Sequence, residues 1–497
     1  MVSLVAHLWQ LGLRPLAHDE AIDAWFSWQA GNGDVMKYDP VYHGPLRFYL
    51  EGGVLQWFGD SAFWARLIAA LCGVAATAII ASNTRLLGKV GAPVAALVFT
   101  FSPTVLTVTR TGREDSLTAL LSLGLLLVVA NSIERPSNRW LIAGGALLAL
   151  SWATKESTFL FGFVALWFFL GALALAWRRP DGRCRAAVRR IGELGTGPWY
   201  LALATFLMLF TFVFTSFFRY AEGVESGFVD GLQYWWSQQP VGRGGQPWYF
   251  YLTVYAAYEW LLLPLAAVGM VVVIRRRSVV GVWLITMCLG QMLIYGWAAE
   301  KFAWLAIHPL VPAVLLAGIG AEALWHRIHQ PRALAFAFGG LLAVTAIVAW
   351  RPAVTDGSDP RELLVAVHTT TEVPQISEFL HDGVRDGSID SILVDPTGGG
   401  TWPWAWYLHD LPVAYGGIDP SEMPGEYDVL ILHADFQDPP DVPDGYVLRR
   451  FPMRAWWMPD YSTAGIGDLL SWFFTRDNWN PTGSFDQYLI VRESLLP

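Results

Sequence analysis

Charge is scarce in this chain. Only 15% of its 497 residues are Asp, Glu, Lys or Arg, where a soluble domain carries roughly 25%. That deficit, beside 54% hydrophobic residues, excludes an ordinary soluble enzyme and a disordered chain. Cysteine is scarce too. Cys72, Cys184 and Cys288 are the only three, and their separation excludes a disulfide framework and a Cys-type zinc site. Lysine is nearly missing, with only Lys37, Lys89, Lys155 and Lys301. There is no Gly-rich nucleotide loop, no basic face and no nucleic-acid motif, so no nucleic-acid partner is expected.

Long apolar runs are plentiful. Runs near 61–83, 91–109, 116–133, 139–154, 157–177, 198–218, 251–274, 279–298, 303–323 and 333–350 approach the roughly 20 residues that span a bilayer. The run from Val2 to Leu13 is too short to span alone and lacks the features of a signal peptide. It reads as the end of a first helix truncated before Met1. The expected fold is therefore a polytopic α-helical membrane protein of about eleven transmembrane helices, followed by a soluble α/β domain.

Charge sign divides the chain. Residues 353–497 hold 23 Asp and Glu against 7 Arg and no Lys, a net charge of −16; residues 1–352 carry +7. The expected domains are a membrane part, 1–352, and an acidic water-soluble part, 353–497. A lysine-free acidic domain also suggests a halophile, where salt screens carboxylate repulsion. Within the membrane part, Arg85, Arg135, Arg139, Arg178 to Arg190, Arg275 to Arg277, Arg327 and Arg332 mark cytoplasmic connections by the positive-inside rule. Loops 14–60 and 219–250, the short turns near 110, 155 and 300, and the tail are then external. The expected location is the plasma membrane, with the tail extracytoplasmic.

Most membrane-proximal carboxylates fall in the external set, so chemistry is expected there. His18-Asp19-Glu20 precedes Asp39 and His43; carboxylates at a poorly solvated interface suit a base or metal ligands. Arg113-Glu114-Asp115 opens the run at 116, where the helix dipole favours acid and the guanidinium can fork onto a phosphate. Lys155-Glu156 and Glu300-Lys301, with His308 beyond, place two rare lysines at outer helix ends. A point-charge ammonium there suits a lipid-linked phosphate. A divalent ion, Mg or Mn, is open through Asp19, Glu20, Glu114 and Asp115, although no ligand spacing demands one. In the tail, residues 374–387 read as a helix with Ile376, Phe379, Leu380 and Val384 on one face. Segments 391–395, 427–433, 445–453 and 487–492 read as strands, and 396–410 and 454–484 as loops. Trp402, Trp404 and Trp406 either stack on sugar rings or pack the tail.

Taken in order, HDEA, YDPVYHGPL, ARLIAALCGV, SPT, TRTGREDSL, ATKES and EKFAWLAIHPL resemble the archaeal flippase-activity-associated membrane protein family. That family sits in the GT-C glycosyltransferase superfamily, beside the dolichyl-phosphate-mannose–protein mannosyltransferases. The tail segment from Thr401 to Asp410 takes part in the resemblance. The resemblance implies a polyprenyl (dolichyl)-phosphate sugar donor, a glycan, lipid or protein acceptor, and inverting transfer at the outer face. It maps the acceptor-side base onto Asp19, with Glu20 beside it. Arg113, Lys155 and Lys301 become the donor-phosphate ligands, with His18, Asp39, His43, Glu114, Asp115, Glu156, Glu300 and His308 in support. Two other readings stay open: a non-enzymatic partner in moving or presenting lipid-linked sugars, and a transporter. Charges at helix ends rather than mid-bilayer count against transport.

Overall fold

The computed structural model describes residues 1–179, 182–365, 367–419, 424–434 and 439–495. Among the described residues, seven helices are long and apolar enough to cross a membrane: Ala62–Ser82, Glu114–Glu134, Ser157–Arg178, Gly197–Phe214, Val279–Trp297, Ala303–Arg327 and Pro331–Thr355. Two bent helix pairs raise the count to nine. The expected eleven is not reached, for identifiable reasons. Asn138–Trp152 has 15 residues, roughly 22 Å at 1.5 Å per residue, which is short of a 30 Å hydrocarbon core. The first helix is Val2–Leu8.

Bends break two of the expected runs, 91–109 and 251–274. Gly91–Phe101 and Pro103–Thr109 meet at 63°, and Phe250–Tyr258 and Leu262–Arg275 at 108°. Proline disfavours the helical region for the residue before it, and Ser102 duly leaves the helix and caps the Val105 amide. Buried Glu259, in the second break, accepts the Ser102 hydroxyl at 2.7 Å and the Thr104 amide at 3.2 Å. A carboxylate from the second break therefore satisfies donors of the first.

The helix Ile307–Arg327 is buried along nearly all its length and forms the centre of the largest apolar core. It packs closely on Leu262–Arg275 because Gly269 and Gly320 face the Leu316 and Leu265 carbonyls, where any side chain would collide with backbone. The helices have two chemically distinct ends. Glu114 opens its helix and Arg135 follows it; Glu156 precedes the next long helix and Arg178 closes that one.

The tail forms a six-stranded sheet in the order β1-β5-β6-β4-β2-β3. The strands are β1 (His368–Thr369), β2 (Ile392–Val394), β3 (Val413–Tyr415), β4 (Val429–His433), β5 (Tyr446–Trp456) and β6 (Gly483–Arg492). β2 pairs in parallel with β3 and β4, and the remaining pairs are antiparallel. The helix Glu372–Asp386 buries Val373, Ile376 and Leu380 against Ile392, Val429, Ile431 and Leu489. The segment expected as loop at 454–484 contains a helix, Ile466–Thr475. Its Trp472 buries with Trp457 in the core of the helical part, so long-range contact rather than local pattern orders it. The tail sits on the acidic end of the bundle. The Tyr407 hydroxyl accepts the Leu16 amide at 2.8 Å, His409 meets Asp60 at 2.7 Å, and Tyr258 donates to Glu362 at 2.6 Å.

Candidate active site

The helix His18–Gly31 lies where the tail meets the bundle. Asp19 and Asp23 are one turn apart on it, so both face the same side. With His18 and Ile22 they line the more polar of two adjoining cavities, about 440 Å³, lined also by Val41, Tyr42, Arg113, Phe302 and Trp304 from the helical part and by Val367, Arg454, Trp456 and Met458 from the tail. The Asp19 side chain is 44% exposed and pairs with Arg113. Burial would raise this carboxyl, but the Arg113 guanidinium outweighs it and holds Asp19 below the usual range. It is thus an ionised, accessible carboxylate. Asp23 differs. Burial raises it to about 6 against the opposing Arg47, whose Nη2 lies 2.6 Å from it.

Beneath the cavity is a connected cluster. Lys155 Nζ donates to Glu114 Oε1 and Asp115 Oδ1, both at 2.7 Å. Arg113 also donates to Glu114 at 3.1 Å, and its guanidinium stacks over Trp304 at 4.7 Å. His308 Nε2 meets Asp115 Oδ1 at 3.0 Å. His43 Nδ1 lies 2.6 Å from Glu156 Oε2, and its Nε2 lies 3.4 Å from Glu114. Burial disfavours charge on His43, but Glu114 and Glu156 more than compensate and raise its pKa. The cluster is incompletely satisfied: among the described residues Glu114 Oε2, Asp115 Oδ2 and Arg113 Nε have no hydrogen-bond partner, the last two lying 3.8 Å apart.

A second cavity, about 370 Å³ and mostly apolar, adjoins the first. Phe159, Leu160, Leu232, Trp236, Trp297 and Leu305 form its walls, and Lys155 and Glu156 reach it from the cluster. His43, Trp235, Arg243 and Glu300 line both cavities. The His43 ring stacks on Trp235 at 5.5 Å and 4° between planes. The sequence therefore assembles a charged head beside an apolar slot, a shape suited to an amphipathic ligand.

Several expected roles do not fit. Glu20 is fully buried and turned away from both cavities. Its oxygens accept Arg66 Nε at 2.7 Å and Nη2 at 2.8 Å, the Gly112 amide at 2.6 Å and the Ala17 amide at 2.9 Å. Arg66 and Arg14 hold it well below the usual range despite burial. It is a structural anion with no lone pair left for catalysis. Lys301 donates to the Ala298 carbonyl at 2.6 Å and lines neither cavity, so it is not a phosphate ligand in this arrangement. Asp39 is exposed and caps the turn at Val41. Trp404 and Trp406 are buried, Trp404 bonded to Gln487 at 2.7 Å and Trp406 packed on Leu16, Ala21 and Leu55. Trp402 packs against Phe26 at 6.4 Å. These tryptophans are packing groups, because the tail they belong to is seated on the first external helix. The four metal candidates are committed to Arg66, Arg113 and Lys155, and no group of three or more His, Cys, Asp or Glu among the described residues is placed to hold a metal ion.

The structure adds residues that sequence reasoning passes over. Arg66 is one, and its signal was available as a lone charge inside an apolar run. Arg243 and Arg454 are the others; nothing local in the sequence links them to Asp19.

A family model described as dolichyl-phosphate-mannose-protein mannosyltransferase matches residues 42–180, less than a third of the chain. That stretch includes His43, Arg113, Glu114, Asp115, Lys155 and Glu156 but not Asp19. No curated protein matches the sequence. The chain is similar in structure to ArnT from Cupriavidus metallidurans in the apo state, with 14% identity, TM-score 0.58, and 100% of this chain and 97% of that one covered. It is also similar to the same protein bound to undecaprenyl phosphate, at 16% identity and TM-score 0.55, covering 82% and 74%. The Archaeoglobus fulgidus oligosaccharyltransferase in the apo form matches at 12% identity and TM-score 0.54, covering 82% and 63%. None of these likenesses concerns the archaeal flippase-associated family that the motifs resemble. At such identities the likeness is one of fold, and the chain has a polytopic GT-C-like fold.

Proposed function

We propose that this protein is a membrane glycosyltransferase that moves a sugar from a polyprenyl-phosphate donor to an acceptor hydroxyl at the outer face of the plasma membrane. One observation carries the reading: an ionised, accessible Asp19 shares a polar cavity with four residues that also line an apolar slot. The slot would take the start of the polyprenyl chain, and ArnT, of similar fold, has been solved with undecaprenyl phosphate. Arg113 and Lys155 lie where the donor phosphate would sit, giving electrostatic stabilisation as it leaves.

In the proposed step the acceptor oxygen attacks the anomeric carbon and the sugar–phosphate C–O bond breaks. Asp19 takes the hydroxyl proton, and the polyprenyl phosphate departs with the bonding pair. Attack opposite the leaving group inverts the anomeric centre. The arginine-rich helix ends then face the cytoplasm, and residues 353–497 form an extracytoplasmic domain over the site.

The test is mass spectrometry of lipid-linked and protein-linked glycans in wild-type, deletion and Asp19→Asn strains at equal protein level. Removing a general base typically costs about 10²–10⁴-fold in rate. Asp19→Asn should therefore match the deletion, with one sugar missing and its charged lipid donor accumulating. A deletion phenotype with wild-type glycans in Asp19→Asn would refute the base assignment and favour a non-enzymatic partner of lipid-linked sugars.

A further inference from the structure

Three arginines line the polar cavity, and they are not equivalent. Arg113 is spent on Asp19 and Glu114. Arg454, from β5, directs Nη1 at the His18 ring at 2.8 Å, Nη2 at the Gly398 carbonyl at 3.4 Å, and its plane at Phe485 at 4.4 Å. All three partners are uncharged, since burial lowers His18 to about 4. Arg243 donates to the Tyr234 hydroxyl at 2.9 Å and the Gln238 carbonyl oxygen at 3.1 Å. Among the described residues neither Arg243 nor Arg454 forms an ion pair. Two guanidinium groups outside ion-pair range of any carboxylate among the described residues therefore face the cavity, and Arg454 feels only the more distant charge of Asp19. Arg243 is exposed and Arg454 half-buried, and for Arg454 a partly desolvated cation without a close counter-ion is costly unless an anion arrives to match it. A guanidinium fork is also the side chain best shaped for a carboxylate or phosphate.

We propose, resting on the transfer reading above, that the acceptor carries an anionic group beside its reacting hydroxyl, and that Arg454, assisted by Arg243, holds that group. A uronic acid and a sugar phosphate share this chemistry. The donor phosphate is the other source of such an anion, and position separates the two. Arg243 lines both cavities, but Arg454 lines only the polar one and bonds to the residue next to Asp19. Arg454 is thus placed for the acceptor, and the tail sheet takes part in choosing the substrate as well as covering the site.

Binding separates this proposal from transfer itself. The full chain in lipid nanodiscs is titrated with methyl glucuronide, glucose 6-phosphate, methyl glucoside and undecaprenyl phosphate. At least one anionic sugar should bind tenfold or more tightly than methyl glucoside. Arg454→Gln should remove that preference, Arg454→Lys should keep part of it, and undecaprenyl phosphate should bind both variants as wild type. Asp19→Asn should keep the preference, so a chain that binds anionic sugars without transferring any leaves the anion site standing and sinks only the transfer reading. Equal binding of glucuronide, phosphate and glucoside to wild type overturns the proposal. So does an Arg454→Gln that loses undecaprenyl phosphate but keeps the sugar preference. Should Arg454→Gln fail to fold, Arg243→Gln must at least halve the preference; no change there overturns the clamp.

Discussion

Two groups of buried charge lie side by side at the acidic end of the bundle, and they are built on different plans. Around Glu20 every bond is closed. All five Arg66 donor positions are used, on both Glu20 oxygens and on the carbonyls of Leu11, Arg14 and Pro15. Around Glu114 and Asp115 the bonding is open: Lys155 bridges the pair, yet one oxygen of each accepts no hydrogen bond. A closed network fixes geometry, here the entry of the chain into the helix His18–Gly31. An open one keeps electrostatic potential in hand for something that arrives. Asp19 and Glu20 are adjacent in sequence and belong to different plans because consecutive helical residues point about 100° apart.

The comparison can be broken by truncating one member of each network. Arg66→Leu should cost about 3–5 kcal/mol, since it strands a buried anion. Full-length protein should then be recovered poorly and unfold early by tryptophan fluorescence. Adding Glu20→Leu should restore part of that stability, and transfer should recover in step with it, because the knot acts on the site only by placing the helix His18–Gly31. Lys155→Leu should also destabilise the fold, but adding Asp115→Leu should not restore function. Transfer should stay down by about 10²-fold or more in the refolded double variant. Equal rescue of activity in both networks would erase the distinction.

Titration sharpens the same contrast. Glu51 is as buried as Glu20 but among the described residues has only the Ser27 hydroxyl at 2.9 Å and Arg47 at 3.6 Å. Burial therefore prevails over Arg47 and raises Glu51 to about 8. A carboxyl raised in the folded state favours folding only while it holds its proton. As pH climbs from about 4.5 to about 8, the unfolded chain ionises first and wild type loses stability, by at most about 1.4 kcal/mol per pH unit. Glu51→Gln keeps the neutral form and escapes this loss. The variant should match wild type near pH 4 and gain on it steadily to pH 8 in thermal unfolding. A constant offset across that range would mean that Glu51 is ionised throughout.

How much of this was legible beforehand follows from distance along the chain. The motifs around Asp19, Glu114 and Lys155 stand out because each is a charge at an apolar helix end. The strands at 392–394 and 429–433 stand out because their apolar runs are short and bounded. What stays hidden are partners far apart. Arg454 lies 436 residues from His18, and Glu20 and Arg66 are 46 apart. No local pattern says that one carboxylate of a pair will be consumed and the other left open. The bends stay hidden for a related reason: apolar length does not reveal a break, and the two breaks, of 63° and 108°, meet through Glu259 and Ser102, 157 residues apart.

The smallest effect concerns the tail tryptophans, which composition alone presents equally as sugar platforms or as packing. Trp404 is wholly buried, with its indole donating to Gln487 Oε1, and Gln487 in turn donates to the Gly400 carbonyl at 3.4 Å. It therefore belongs to the closed plan, like Glu20. Trp404→Phe keeps most of the apolar contact and removes one buried hydrogen bond, which is worth about 1 kcal/mol, rising toward 3 if Gln487 is left unsatisfied. Unfolding should shift by that amount while acceptor KM and kcat stay at wild-type values. A Trp404→Phe that weakens acceptor binding with unchanged unfolding would move this residue from the fold to the site, and would mean that the tail contributes a stacking surface as well as Arg454.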